Sequence, residues 1–228
     1  MDTMIGVDLA KSVYQIHGAS MTGEVRFRKK LTRPQFQKFM TEHGPAIVVM
    51  EACGGAHYWS RMMEDLGHEV KLIAPQYVRP FVKRQKNDAA DAEAIVIAAQ
   101  RPEMRFVEPK SEEQQARAAL FRSRERLVRQ RTELINALRG VQTLLCDTEN
   151  GLHPLVLEDC RDLFEQIVEK TERIEARTKK ATALSAQADT TRRLQTIPGV
   201  GPLTALAVET FAPPMESFKS GRDFAAWL

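Results

Sequence analysis

The sequence predicts an α/β domain followed by an all-α region built as a helical hairpin or coiled-coil arm. Three observations carry that prediction. Short runs of β character alternate with helical ones up to residue 109, the pattern then changes to a helical periodicity that no proline or glycine interrupts before Gly140, and 228 residues exceed the usual single domain.

Each element follows from local pattern. Residues 4–9, 13–19 and 25–31 read as three strands joined by tight turns at Lys11-Ser12 and Gly23, an antiparallel meander. Residues 34–43 place Phe36, Phe39 and Met40 at helical spacing before Gly44. Residues 47–50 are continuously apolar, as in a strand buried on both faces. A helix over 58–66 stopped by Gly67 and a strand over 70–74 complete the order βββαβαβ. Pro75 and Pro80 mark a connector, and 89–99 is a strong helix former ending before Arg101-Pro102.

From residue 110 to 190 the chain changes character. Leu120, Leu127, Leu134 and Val141 recur every seven residues, and Leu163, Ile167, Ile174 and Ala181 form a matching stripe after the break at Asn150-Gly151. Residues 191–228 make a third part, where Ile197-Pro198-Gly199-Val200-Gly201-Pro202 separates two helical runs.

Composition narrows the setting. Lys and Arg number 33 against 30 acids, so net charge alone does not point to nucleic acid. Cys53, Cys146 and Cys160 show no zinc or disulfide spacing, and no run is apolar for long enough to span a membrane. A bacterial cytoplasmic protein without a membrane partner is expected.

Four carboxylates stand out. Asp8 lies on the first strand on the face opposite Ile5, Val7 and Leu9, flanked by Gly6 and Ala10, which leave room for an ion. Glu51 ends the buried run at 47–50, where a carboxylate is costly without a cation. Asp88 and Asp91 are three apart on a helix and share a face, although an N-terminal capping pair has the same spacing. Asp8 and Glu51 also admit a plain reading as solvated strand ends. Together, an acid on the first strand, one closing the fourth and a pair on a following helix match the way nucleases with an RNase H-like (RuvC-like) fold gather acids around two divalent ions. Oxygen-only ligands favour Mg²⁺ or Mn²⁺.

Ile5-Gly6-Val7-Asp8-Leu9-Ala10-Lys11, Val48-Val49-Met50-Glu51-Ala52-Cys53-Gly54 and Lys86-Asn87-Asp88-Ala89-Ala90-Asp91-Ala92 resemble the three acidic motifs of the IS110/IS1111 group of transposases. The stretch at 197–202 resembles the start of that group's C-terminal domain. The resemblance implies a RuvC-like domain with a DEDD carboxylate set, a coiled-coil arm, and recombination of DNA under guidance from an element-encoded RNA. It also implies a nucleophilic serine in a C-terminal domain; the sequence ends at Leu228 before a matching motif, so no serine here inherits that role.

Nucleic-acid contacts are expected on three surfaces. Tyr77, Arg79, Phe81, Lys83, Arg84 and Lys86 interleave aromatic and basic residues just before the acid pair. Seven arginines from Arg117 to Arg139, among them Arg122, Arg126 and Arg129, face only Glu125 and Glu133 on the long helix. Gly199 and Gly201 suit a helix-hairpin-helix turn whose backbone N–H groups meet a phosphate, and they equally suit a simple interhelical turn. The leucine stripe predicts a homo-oligomer. Two other readings stay open: a non-catalytic nucleic-acid-binding fragment, and an actin-like ATP-binding enzyme, whose first phosphate motif the 5–11 stretch also resembles.

Overall fold

Near-continuous apolar character makes β1 (Thr3–Leu9) an interior strand, with Ile5 and Val7 buried on one face and Met4 on the other. The computed structural model describes residues 1–82, 88–145 and 153–227, and side chains in the middle segment over 90–141. β2 (Val13–Ser20) pairs antiparallel with β1, and β3 (Val25–Thr32) antiparallel with β2. β4 (Ile47–Glu51) lies parallel to β1, β5 (Glu69–Ile73) parallel to β4, and β6 (Phe106–Val107) antiparallel to β5. The six strands form one mixed sheet in the order β3-β2-β1-β4-β5-β6.

Helices cover both faces. On one side α1 (Arg33–Glu42) and α2 (Ala56–Asp65) bury Phe36, Met40, Trp59 and Met63 against Ile5, Val7, Val48 and Met50. Phe36 and Trp59 meet edge to face at 5.0 Å, and the Trp59 indole N–H donates to the Tyr14 hydroxyl at 3.0 Å, so the buried polar edge of the ring is satisfied. On the other side α4 (Asp88–Ala99) packs on β1 and β2 through Ala94, Ile95, Val96 and Ala98. It comes so close that a Cβ on Gly6 would lie 2.4 Å from the Ala92 carbonyl and 2.7 Å from Val96 Cγ2, so only glycine fits there.

The connector expected around Pro75 and Pro80 is instead helical: α3 (Pro75–Val78) runs into a 3₁₀ turn, Arg79–Phe81. Both prolines occupy opening positions of these turns, where a missing N–H leaves no bond unmade. β6 was not anticipated, because two residues carry no period.

The chain divides into two compact units, Met1–Glu112 and Glu113–Leu228. The second is helical. α5 (Glu112–Leu145) and α6 (Pro154–Gln187) each run 34 residues, α5 continuing past Gly140. Side-chain bonds link the two: Arg124 donates to Thr178 Oγ1 at 2.9 Å while Arg177 donates to Ser123. Of the α5 stripe Leu127 is buried, and Leu120, Leu134 and Val141 are half-buried; on α6 Ile174 and Ala181 are buried, and Leu163 and Ile167 are half-buried. α7 (Asp189–Leu194) and α8 (Pro202–Phe211) pack with α6, followed by α9 (Gly221–Trp227). Arg117 of α5 is tied to Glu209 of α8 at 2.8 Å. No helix among the described residues is long and apolar enough to cross a membrane.

Candidate acidic site at the carboxyl end of the sheet

β1 and β4 are in register with Val7 opposite Met50, so the next residues, Asp8 and Glu51, stand side by side at about one strand spacing, ~4.8 Å. Val7 and Met50 point to the α1/α2 side; the alternation therefore turns Asp8 and Glu51 to the side covered by α4. Both are half-buried. Asp91 lies in the first turns of α4, one residue before the Ala92 carbonyl that abuts Gly6. Three of the four predicted carboxylates thus belong to one corner of the first unit. Asp88 opens α4 one turn earlier, and its side chain lies outside the described residues, as do Lys83, Arg84 and Lys86.

Electrostatics report the proximity. Burial pushes the Glu51 carboxyl above its ordinary range, the Asp91 carboxylate pushes it further the same way, and the Arg79 guanidinium opposes both. Arg79, in the 3₁₀ turn, is accordingly a near neighbour of Glu51. Beside it Tyr77 is exposed, whereas Phe81 is half-buried, with the Arg101 guanidinium 5.5 Å from its ring centre. Among the described residues no three carboxylates, histidines or cysteines stand close enough together to grip an ion.

In the helical unit the seven arginines do not form one face. Arg117 turns inward to Glu209 and Glu113, Arg124 bonds Thr178, and Arg129 pairs with Glu125 at 2.6 Å. Arg122 and Arg126 are exposed, as is Arg129. The chain reverses at Gly199, whose φ of +86° is left-handed, and Gly201 precedes the first turn of α8. Sequence reasoning missed two further polar residues level with Asp8, Gln15 and Lys30; only strand register, which a single strand's pattern does not reveal, brings them there.

These features define a mixed α/β unit with acids at the carboxyl edge of its sheet, continued in sequence by a helical unit. Comparison with known proteins gives two family matches, the first of which runs from the sheet unit into the helical unit. A family model for DEDD transposases of IS110 type, described as Transposase, matches residues 5–146, and one described as Transposase IS116/IS110/IS902 family matches residues 191–228. Similar proteins include a transposase of Sinorhizobium fredii, 44% identical over 98% of this chain and 62% of its own length. A family 20 transposase of Pseudomonas aeruginosa is 42% identical over 98% of this chain and 72% of its own. The transposase for insertion sequence element IS1328 of Yersinia enterocolitica is 39% identical over 98% and 72%. The chain belongs to the IS110 family of transposases. It spans between about three fifths and three quarters of the length of these relatives.

Proposed function

We propose that the chain is the metal-binding and nucleic-acid-binding part of a transposase that cuts and rejoins DNA. On this reading the first unit is an RNase H-like domain in which Asp8, Glu51, Asp88 and Asp91 hold Mg²⁺ or Mn²⁺. The observation that carries it is the pairing of Asp8 and Glu51 on adjacent parallel strands, with Asp91 near enough to act on Glu51. A meander followed by parallel strands, in the order β3-β2-β1-β4-β5, supports the same fold.

The donor set suits a hard divalent ion. It is all carboxylate oxygen, and the crowding that disfavours charge on Glu51 is what a cation relieves. When bound, such ions polarise a phosphate and stabilise the attacking and leaving oxygens. The chain's own groups then orient the ligands: β1 and β4 fix two carboxylates on rigid strands, α4 carries the pair Asp88 and Asp91, and Arg79 offers its guanidinium to a phosphate oxygen. Arg122, Arg126 and Arg129 and the turn at Gly199 and Gly201 supply contacts to DNA or to an element-encoded guide RNA. Exposed Leu155, Phe164 and Val168 on α6 support assembly into a homo-oligomer.

Asp8→Asn tests the site. Calorimetric titration with Mn²⁺ should show binding to the unaltered protein and at least a tenfold weaker association in the variant, with an unchanged far-ultraviolet spectrum. Equal Mn²⁺ affinity in the two proteins would refute the carboxylate assignment.

A further inference from the structure

Strand register extends the acidic corner beyond its carboxylates. Asp8 is paired with Gln15 on β2, and Gln15 with Lys30 on β3, so Lys30, Gln15, Asp8 and Glu51 form one row across four neighbouring strands. All four share a face. Tyr14 and Ile16 on β2, and Phe27 and Leu31 on β3, pack on the α1/α2 side, which turns Gln15 and Lys30 to the α4 side. Arg28, two residues from Lys30, confirms that direction by reaching Glu93 of α4 at 3.2 Å.

The two added residues are unlike in burial and alike in having no side-chain partner among the described residues. Gln15 is only 9% exposed, yet its carboxamide makes no hydrogen bond to any described residue. Its amide carries two N–H donors that an acceptor approaching this face can use. Lys30 is exposed on the edge strand and joins no ion pair among the described residues. Its Cα is about two strand spacings, ~10 Å, from that of Asp8, a gap its long stem partly closes.

We propose that Gln15 and Lys30 form a phosphate subsite that receives a phosphodiester neighbouring the one at the carboxylates, so that a nucleic-acid strand crosses the sheet from the β3 edge toward Asp8. The subsite rests on the carboxylate reading above. Lys30 gives a charge-assisted contact, and Gln15, between Lys30 and Asp8, gives a neutral donor. Asp8 and Glu51 repel a phosphate unless neutralised, so the one cation of the row, Lys30, sets the side of entry.

The two contacts have different signatures on a short fluorescein-labelled DNA duplex of arbitrary sequence, titrated across a salt series with Ca²⁺ present. Lys30→Ala should weaken binding about three- to tenfold and flatten the log-log salt slope by about 0.9, because one fewer counterion is released. Lys30→Arg should restore both. Gln15→Leu, which keeps the buried volume, should weaken binding and leave the slope unchanged. Unchanged affinity and slope in both Lys30→Ala and Lys30→Glu overturn the subsite, as does a loss in Gln15→Leu accompanied by a lowered melting temperature. Mn²⁺ titration separates the two levels: Lys30→Ala should bind Mn²⁺ like the unaltered protein. A protein that takes up no Mn²⁺ instead overturns the carboxylate reading, and the subsite with it.

Discussion

The sheet unit and the helical unit bury their apolar residues in opposite ways. In the first, Ile5, Val7, Phe36, Val48, Met50 and Met63 are completely enclosed, and both faces of the sheet are covered. In the second, burial concentrates around α8, at Ala205, Leu206 and Val208, while α6 from Pro154 to Arg173 contains no buried residue and leaves Leu155 and Phe164 more than half exposed. On the proposed reading, the carboxylates stand on the well-packed scaffold, and the thinly packed helical unit is the one offered to large, variable partners.

One residue type in two places sharpens that contrast most. Phe36→Ala should cost about 3–5 kcal/mol, because the ring fills the space between Tyr14 and Trp59. Phe164→Ala on α6, where the ring is 60% exposed, should stay within about 0.5 kcal/mol. Thermal unfolding followed by near-ultraviolet circular dichroism would read both, and similar losses would erase the distinction between the units. Gly6→Ala comes next. The added methyl must displace backbone of α4, so a loss of about 1–3 kcal/mol is expected on the same assay, together with weaker Mn²⁺ binding as Asp91 moves.

Charge reversal on the arm should do the reverse. Arg122→Glu, Arg126→Glu and Arg129→Glu combined should leave the melting temperature nearly unchanged while flattening the salt dependence of DNA binding by up to about 0.9 for each phosphate no longer neutralised. An unaltered slope would make the arm a scaffold. The smallest effect concerns Glu51. Its folded-state pKa is raised, so its ionisation opposes folding: the stability available below the ordinary glutamate range is lost as pH rises through the raised value. In metal-free buffer Glu51→Gln should therefore melt about 1–2 °C higher at pH 8 and no higher at pH 4. A larger gain at pH 4 would contradict the sign.

Most strands and helices were legible because their periods are local. The βββαβαβ order and the two long helices follow from alternation and heptads, and each end predicted in the first unit lies within two residues of the observed one. Asp8 and Glu51 stood out because a carboxylate interrupts an apolar run at each. The short helix at Pro75 was missed because prolines read as breakers unless their place in the turn is known. The arginines of α5 read as one face because composition does not show that Arg117 and Arg124 turn toward α8 and α6. Gln15 and Lys30 were invisible for a different reason: they meet Asp8 only across two strand pairings.

Among the described residues β3 is an end strand of the sheet, and the backbone N–H and C=O groups of such an edge invite a strand from another molecule. Arg26, Arg28, Lys29 and Lys30 follow one another along it with a single aromatic interruption at Phe27. A second copy adding strand to strand would bring these cations against its own. The positive charge that includes the proposed phosphate contact at Lys30 thus also opposes the seeding of fibres, and neutralising several of these residues at once should trade solubility for aggregation even in a molecule that still folds.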